Sequence, residues 1–434
     1  MKLLFLTTYN VPIEREHIFT RNVWDALCRQ FECGENEIAV ATIFQTDNRQ
    51  DSSIVEEVVE GQKYYKLYYS SALSEEEKIA KIAHFFRLIS PNVIHSNMVE
   101  AIDVAAAKSC GIPIVLTIHI GGFICPRGGV HGLMKYDDSI CDTTVGSHCL
   151  KCCSKDLPFP KFSYILYRLL PNKLLDWAYH KLEGKSIFYV TQFLTSFSEV
   201  IRRKKYTETF KYATIIAANQ RLKDLLAANG LIDNVVLLPH GVQSRPQLSY
   251  PGVNGKVKFF YLGRMQYAKG LHNLLKAFDG IDNSLYELHI IGDSSMSSNG
   301  QRYKAKLIQL AKNNNIVFHG EISNNKLESV IKDMHVMIHP TICLEVYGLA
   351  IAESLSMGRP VLATRCGGAE MQVQDGVNGW LVEPNSVDAL HDKILDIISH
   401  KEQLKNLSVF CKLPHSLSEY ARKILQLYGE IIGN

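Results

Sequence analysis

Three short stretches in the second half of the chain carry residue types suited to a phosphorylated ligand. In YLGRMQYAKG, Gly263 is followed by Arg264 and, a turn later, by Lys269. Two fixed cations where an apolar run ends match the charge of a diphosphate, and Gly263 lets backbone come close to it. Taken alone, such a pair is more often solvated surface at a helix start. In CLEVYGLAIAESLSMGRPVLAT, Glu345 precedes Gly348, and Glu353 follows it. Gly348 is expected to open a helix whose unpaired amides, at Gly348 and Leu349, can meet a phosphate. Glu353 then lies one to two turns into that helix, where a carboxylate can accept hydrogen bonds from a ribose diol. Its neighbours Ala350, Ile351, Ala352 and Leu355 are apolar, and a carboxylate on a mostly buried helix needs a partner. In ATRCGGAEMQ, Gly367 and Gly368 suit either close approach to a ligand or a plain turn.

A second kind of chemistry is suggested by cysteine spacing. Five of the 11 cysteines fall at Cys125, Cys141, Cys149, Cys152 and Cys153, in a Gly-rich stretch with little apolar period. Four thiolates that include a Cys-x2-Cys pair suit tetrahedral zinc, and a metal staple would hold a segment unable to build its own core. The expected ligands are Cys125, Cys141, Cys149 and Cys152, with Cys153 as the alternative fourth. Free thiols, disulfides and an iron–sulfur cluster remain the other readings of these residues.

These residues need a scaffold, and the sequence describes one. Short apolar runs (KLLFLTT, EIAVATIF, VIHS, PIVLTIH, TIIAAN and VVLLPHG) alternate with stretches of helical period such as 21–31, 74–89 and 220–229. Such alternation predicts a parallel sheet covered on both faces. A polar stretch with two Pro and two Gly, QSRPQLSYPGVNG, then interrupts the pattern before a second series begins at VKFFYLG. The expected architecture is therefore α/β, with two doubly wound, Rossmann-like domains. Domain boundaries are expected at 1–241 (with a cysteine-rich insertion at 120–160), a linker at 242–256, and 257–412. A terminal helix at 413–434 is expected to pack back on the first domain.

The 434 residues are 46% hydrophobic and 21% charged, with a net charge of +3, which excludes a disordered chain, a coiled coil and a generally basic nucleic-acid binder. No run of 18 apolar residues occurs, and MKLLFLTTYN is too short in apolar core for a signal peptide. A cytoplasmic protein is expected. Between Lys151 and Tyr212, however, 12 Lys or Arg face five Asp or Glu, with aromatics interleaved. That stretch reads either as a solvated face or as a peripheral contact with anionic lipid at the inner face of the membrane.

The order of the three ligand-type stretches resembles the retaining GT-B glycosyltransferases of family four (glycosyl transferases group one). Their pattern reads here as Pro340, Glu345, Tyr347, Gly348, Leu349, Glu353, Gly358, Pro360 and Val361, continued by Gly367-Gly368-Ala369-Glu370 and Gly376-Val377-Asn378-Gly379. The resemblance implies two domains facing a cleft, with Gly263, Arg264 and Lys269 at the donor diphosphate. It places Glu353 on the nucleotide ribose, Glu345 against the donor sugar, and Tyr347, Gly348 and Leu349 beside phosphate and sugar. His119, which as a lone residue reads as a core histidine, would reach toward the donor sugar. The resemblance implies no catalytic metal. Two departures stand out: the glycine-rich loop usual after the first strand is replaced by TTYNVPIEREHIFTRN, and His240 replaces the usual Asn of the P-N-G-V pattern.

The expected activity is a retaining transfer of a sugar from a nucleotide-diphosphate-sugar to a glycan or lipid-linked glycan in surface polysaccharide synthesis. A UDP-sugar is favoured, and GDP-mannose is next. The competing reading is a catalytically inactive nucleotide-sugar-binding or redox- or metal-sensing protein on the same scaffold. A phosphorylase would need a pyridoxal-phosphate lysine motif that the sequence lacks.

Overall fold

A computed structural model of the chain describes all residues except 8–17, 32–36, 47–52, 60–61, 120–122, 129–131, 183–187, 313–314 and 434. It forms two compact units. One comprises Met1–Gly129, Thr143–Gly241 and Leu417–Asn434, the other Val130–Asp142 and Val242–Ser416. Among the described residues, no helix is long and apolar enough to cross a membrane.

The first unit is built on eight strands: β1 (Lys2–Thr7), β2 (Glu37–Thr46), β3 (Ile54–Val59), β4 (Gln62–Ser70), β5 (Val93–Ser96), β6 (Ile114–Thr117), β7 (Thr214–Ala217) and β8 (Val235–Leu237). Their spatial order is β3-β4-β2-β1-β5-β6-β7-β8. Every neighbouring pair is parallel except β3 with β4. Leu3 to Leu6 are fully buried, as expected for a central strand with both faces covered. The β3–β4 hairpin, IVEEVV and QKYYKLYYS, is absent from the apolar runs read from the sequence, because Glu and Lys dilute its pattern. It forms the sheet edge, where charged side chains are tolerated. The helix Leu417–Gly433 buries Tyr420, Ile424 and Tyr428 in the same core as Trp24 and Leu27 of helix Ile18–Phe31.

The second unit has six parallel strands: β9 (Val257–Leu262), β10 (Tyr286–Ile291), β11 (Ile316–Gly320), β12 (Val336–His339), β13 (Val361–Thr364) and β14 (Gly379–Val382). Alternate residues feed two cores. Phe259, Tyr261, Val336 and Ile338 pack on one face, and Phe260 and Met337 on the other. The order β11-β10-β9-β12-β13-β14 reverses direction between β9 and β12. In open α/β sheets the crevice beyond the carboxyl ends of two such strands is where ligands bind.

Two segments differ from the sequence expectation. The stretch 242–256 is not a loose tether. Leu248 packs into one core of the second unit and Tyr250 and Val253 into the other. The buried Arg359 guanidinium donates to the carbonyls of Leu248 (3.3 Å), Ser249 (3.0 Å) and Lys332 (2.9 Å). Part of the cysteine-rich insertion, Val130–Asp142, likewise belongs to the second unit. Met134 is buried with Ala268, Ile342 and Cys343, and Asp138 accepts a 3.0 Å hydrogen bond from the Tyr267 hydroxyl. With too few apolar residues for a core of its own, this segment buries Met134 on another.

Candidate functional site

At the reversal between β9 and β12, the loops leaving both strands bring Lys269 and Glu345 together as an ion pair. His339, the last residue of β12, adds its Nε2 3.6 Å from the same Glu345 oxygen and also lies 2.9 Å from the Thr341 hydroxyl. Burial alone would raise the Glu345 carboxyl. The Lys269 ammonium and the His339 ring outweigh it, and the group is held well below the usual carboxylate range. Burial likewise works against the Lys269 ammonium, but Glu345 overcomes it and its pKa is raised. The site thus holds a fixed cation and a fixed anion, both charged across the neutral range.

The backbone around the pair leaves little freedom. Gly270 follows Lys269 at φ +69°, and a Cβ there would lie 1.9 Å from the carbonyl oxygen of Pro340. Ile342 donates to the carbonyl of Ala268 at 3.0 Å, so the two loops are stitched side by side. Beyond Glu345, its amide donates to Cys366 O (2.8 Å), and the Gly368 amide returns a bond to Glu345 O (3.0 Å). The close approach needs a glycine, because a Cβ on Gly368 would lie 2.2 Å from Tyr347 O. The Gly-Gly stretch is therefore a packed support of Glu345.

Gly348, in the left-handed region, caps the helix Leu349–Ser356 without a side-chain hydrogen bond. Glu353 on that helix has a partner that the sequence did not indicate: Arg245 Nη2 donates to its Oε1 at 3.1 Å. The same guanidinium reaches Glu328 Oε1 at 3.4 Å and pairs with the Asn324 side chain. Tyr347 is buried, with burial pushing its phenol up. At the end of β9, Gly263 is tied to Ile291 O (3.0 Å), and Tyr261 donates to Arg264 O (2.7 Å). The Arg264 side chain is exposed and makes no ion pair among the described residues, leaving its charge available.

In the first unit, His119 follows β6, and its Nε2 lies 2.7 Å from Asn97 Oδ1, in the loop after β5. Its ring centroid is 5.5 Å from that of His240, which packs edge-on to Tyr420. Burial, then the His119 charge, keeps His240 neutral. His240 is thus part of a packed histidine–tyrosine stack, a role that an Asn could not fill. The loop after β1 falls within residues 8–17, outside the described ones.

The side-chain placement does not support the zinc expectation. All five cysteines are described, yet no group of three or more His, Cys, Asp or Glu among the described residues is placed to hold a metal ion. Cys141 belongs to the segment that packs on the second unit, whereas Cys125, Cys149 and Cys152 belong to the first. Cys153 is buried with Leu150, Leu157 and Tyr167, and burial foremost, then the nearby Cys125, Cys149 and Cys152, pushes its thiol far up. The apolar helix contacts stabilise this part of the insertion.

Comparison with known proteins finds likeness to glycosyltransferases. Residues 249–424 match the model for glycosyl transferases group 1. That match takes in most of the second unit and about two fifths of the chain. An uncharacterized glycosyltransferase of Methanocaldococcus jannaschii is 29% identical over 213 residues, covering 46% of this chain and 54% of that protein. The lipopolysaccharide 1,2-N-acetylglucosaminetransferase of Salmonella typhimurium is 27% identical, covering 38% and 42%. Against the first three such relatives, the matched region spans 38% to 57% of their length. Among solved structures, Anabaena HepE in complex with UDP and glucose superimposes with a TM-score of 0.61 at 14% identity, covering 98% and 99% of the two chains. At that identity the likeness concerns the fold alone, and the fold is GT-B.

Proposed function

We propose that this protein is a retaining glycosyltransferase that moves a sugar from a nucleoside-diphosphate sugar, a UDP-sugar first and GDP-mannose second, to a hydroxyl of a glycan or lipid-linked glycan. The observation that carries this reading is the Lys269–Glu345 pair at the strand reversal, with Glu353 on the next helix. UDP and glucose occupy HepE, and relatives act in lipopolysaccharide and capsular polysaccharide synthesis, which supports the donor and the setting.

In this reading Arg264 and Lys269 take the diphosphate oxygens. Each neutralises charge that grows as the bond from the anomeric carbon to the leaving oxygen breaks. The Gly348 and Leu349 amides, at a helix N-terminus, add a donor pair. Glu353 accepts from the ribose hydroxyls, and Glu345 holds the sugar. The acceptor oxygen forms the new bond on the face the diphosphate leaves, and its proton passes to the departing diphosphate, so no separate base is needed. His119, oriented by Asn97, is assigned to the donor sugar.

The test is transfer by the purified chain from UDP-, GDP- and ADP-sugars, with product stereochemistry read by NMR. Arg264→Ala at saturating donor should lower kcat by roughly 10²–10³, about 3–4 kcal/mol of transition-state stabilisation. Thermal unfolding should stay near wild type because the side chain is exposed. A loss below about threefold removes the assignment, and an inverted product removes the retaining mechanism.

A further inference from the structure

We propose that helices Pro160–Leu169 and Asn172–Leu182 form a docking face for an anionic membrane surface. These helices are apolar on two opposite sides. Inward, Tyr167 and Leu175 are buried with Phe193, Leu194 and Phe197 of the long helix Phe188–Phe210. Tyr167 stacks on Phe193 at 4.1 Å between centroids and donates to the Phe193 carbonyl at 2.7 Å, which fixes how the first helix is turned. Outward, Phe162, Ile165 and Leu169 form a stripe at i, i+3 and i+7, flanked by Phe159 and continued by Leu174 and Trp177. Every one of these six is exposed, from 46% at Leu174 to 73% at Leu169.

A helix on the surface of a water-soluble domain normally turns polar residues outward. Six large apolar side chains exposed within 19 residues are the kind of concentration that marks an interaction surface. Neither helix can cross a bilayer, since 10 and 11 residues are about half of what a span needs. Lying in the interface plane, with the apolar stripe among the acyl chains, is the geometry open to them.

Charge selects the occupant. Between Lys155 and Lys181 the sequence carries Lys155, Lys161, Arg168, Lys173 and Lys181 against Asp156 and Asp176. Asp156 is engaged by Arg127 through bonds of 2.7 and 2.8 Å, so its charge is already met. Lys181 lies 5.5 Å from the Trp177 ring centroid, placing a cation beside the apolar ridge. A second copy docking through this face would set like charges against each other, whereas anionic headgroups complement them. The face involves none of the donor-side residues, so its test is independent of the activity assigned above.

The full chain should cosediment with vesicles of phosphatidylcholine and phosphatidylglycerol and bind phosphatidylcholine alone at least about tenfold more weakly. Trp177 emission should shift to the blue and be quenched by bromine-labelled acyl chains. The double variant Phe162→Ser/Leu169→Ser should lose vesicle binding while keeping its circular dichroism, and Lys161→Glu/Arg168→Glu should lose the preference for the anionic lipid. Three results would overturn the proposal: no binding to mixed vesicles, binding undiminished in the Ser variant, or a dimer in light scattering that the Ser variant dissolves. The last would mean that a second copy covers the stripe.

Discussion

Lys269 and Glu345, 76 residues apart in sequence, are ion-paired across the loops that leave β9 and β12, where the strand order reverses. Both side chains are largely buried, so each charge depends on the other. Removing one member of such a pair typically costs about 3–5 kcal/mol, because an uncompensated charge remains in a poorly solvated place. Lys269→Ala should therefore lower the melting temperature and abolish transfer together. Adding Glu345→Gln to it should restore much of the stability and none of the activity. The two variants and their combination, compared by thermal unfolding, give the coupling directly. If Lys269→Ala melts like wild type, the ion pair contributes nothing to the fold. The pair also has an acid limit. The folded pKa of Glu345 lies below its unfolded value, so its contribution is complete above the unfolded value of 4.5 and is lost as pH falls through the folded one.

Asp103 behaves in the opposite sense. It is buried near the start of helix Ala101–Cys110, and one of its side-chain oxygens has no partner among the described residues. Burial foremost, then Glu100, pushes its carboxyl up to about 8. The unfolded chain gives up this proton near 3.8, while the folded chain keeps it to about 8, so stability falls as pH rises between the two. Asp103→Asn keeps the shape and removes the titration. Its melting temperature relative to wild type should be nearly level at about pH 4 and rise steadily toward about pH 8. A constant difference over that range would mean that Asp103 is ionised throughout.

Much of the second unit was legible because its information is local. The apolar runs at Val257 and Val336 are the strands on either side of the reversal, and Glu345, Gly348 and Glu353 lie within one short segment. Other features depend on pairings that no local pattern records. Asn97 orients His119 from a different loop, and Asp138 reaches Tyr267 across 129 residues. Arg245 lies in a polar stretch without period, the ordinary signature of a linker, and only the folded chain shows it against Glu353. The cysteine spacing is likewise incomplete information. Ligand spacing states which thiols can be neighbours in sequence, while the burial of Cys153 and the placement of Cys141 in the other unit are set by tertiary packing.

Arg245 aligns Glu353, and the ribose should report it. Its guanidinium joins Glu353, Glu328 and Asn324, holding the Glu353 carboxylate by one oxygen and leaving the other for a ligand. A hydrogen bond to a charged group is typically worth about 1.5–3 kcal/mol, roughly ten- to a hundredfold in affinity. Wild type should bind UDP more tightly than 2′-deoxyuridine diphosphate, and Glu353→Gln should erase most of that difference. Arg245→Ala should erase it in part, raising the donor KM more than it lowers kcat. Calorimetry with the two nucleotides separates the cases. If Glu353→Gln loses the discrimination and Arg245→Ala keeps it whole, Arg245 is only a brace for helix Leu349–Ser356. If neither changes it, the ribose does not sit at Glu353.

Gly270 and Gly280 provide a controlled pair for the geometry that places Lys269. Both have positive φ, +69° and +80°, so an alanine at either position bears the same backbone strain, about 1–2 kcal/mol. Their surroundings differ. A Cβ at Gly280 meets nothing within 4 Å, whereas one at Gly270 falls 1.9 Å from Pro340 O and 3.1 Å from the Ile342 side chain. The obstacle is backbone, which cannot rotate away, so the loop carrying Pro340 must move relative to the turn carrying Lys269. That displacement is transmitted toward Glu345, five residues beyond Pro340. Gly280→Ala should thus cost a modest amount of stability and leave kcat and donor KM intact. Gly270→Ala should cost more and lower kcat by at least about tenfold, since misplacing a fixed charge by about 1 Å is enough to do so. Equal kinetics for the two alanine variants would show that the loops tolerate separation, and that the close contact of Gly270 with Pro340 serves packing alone.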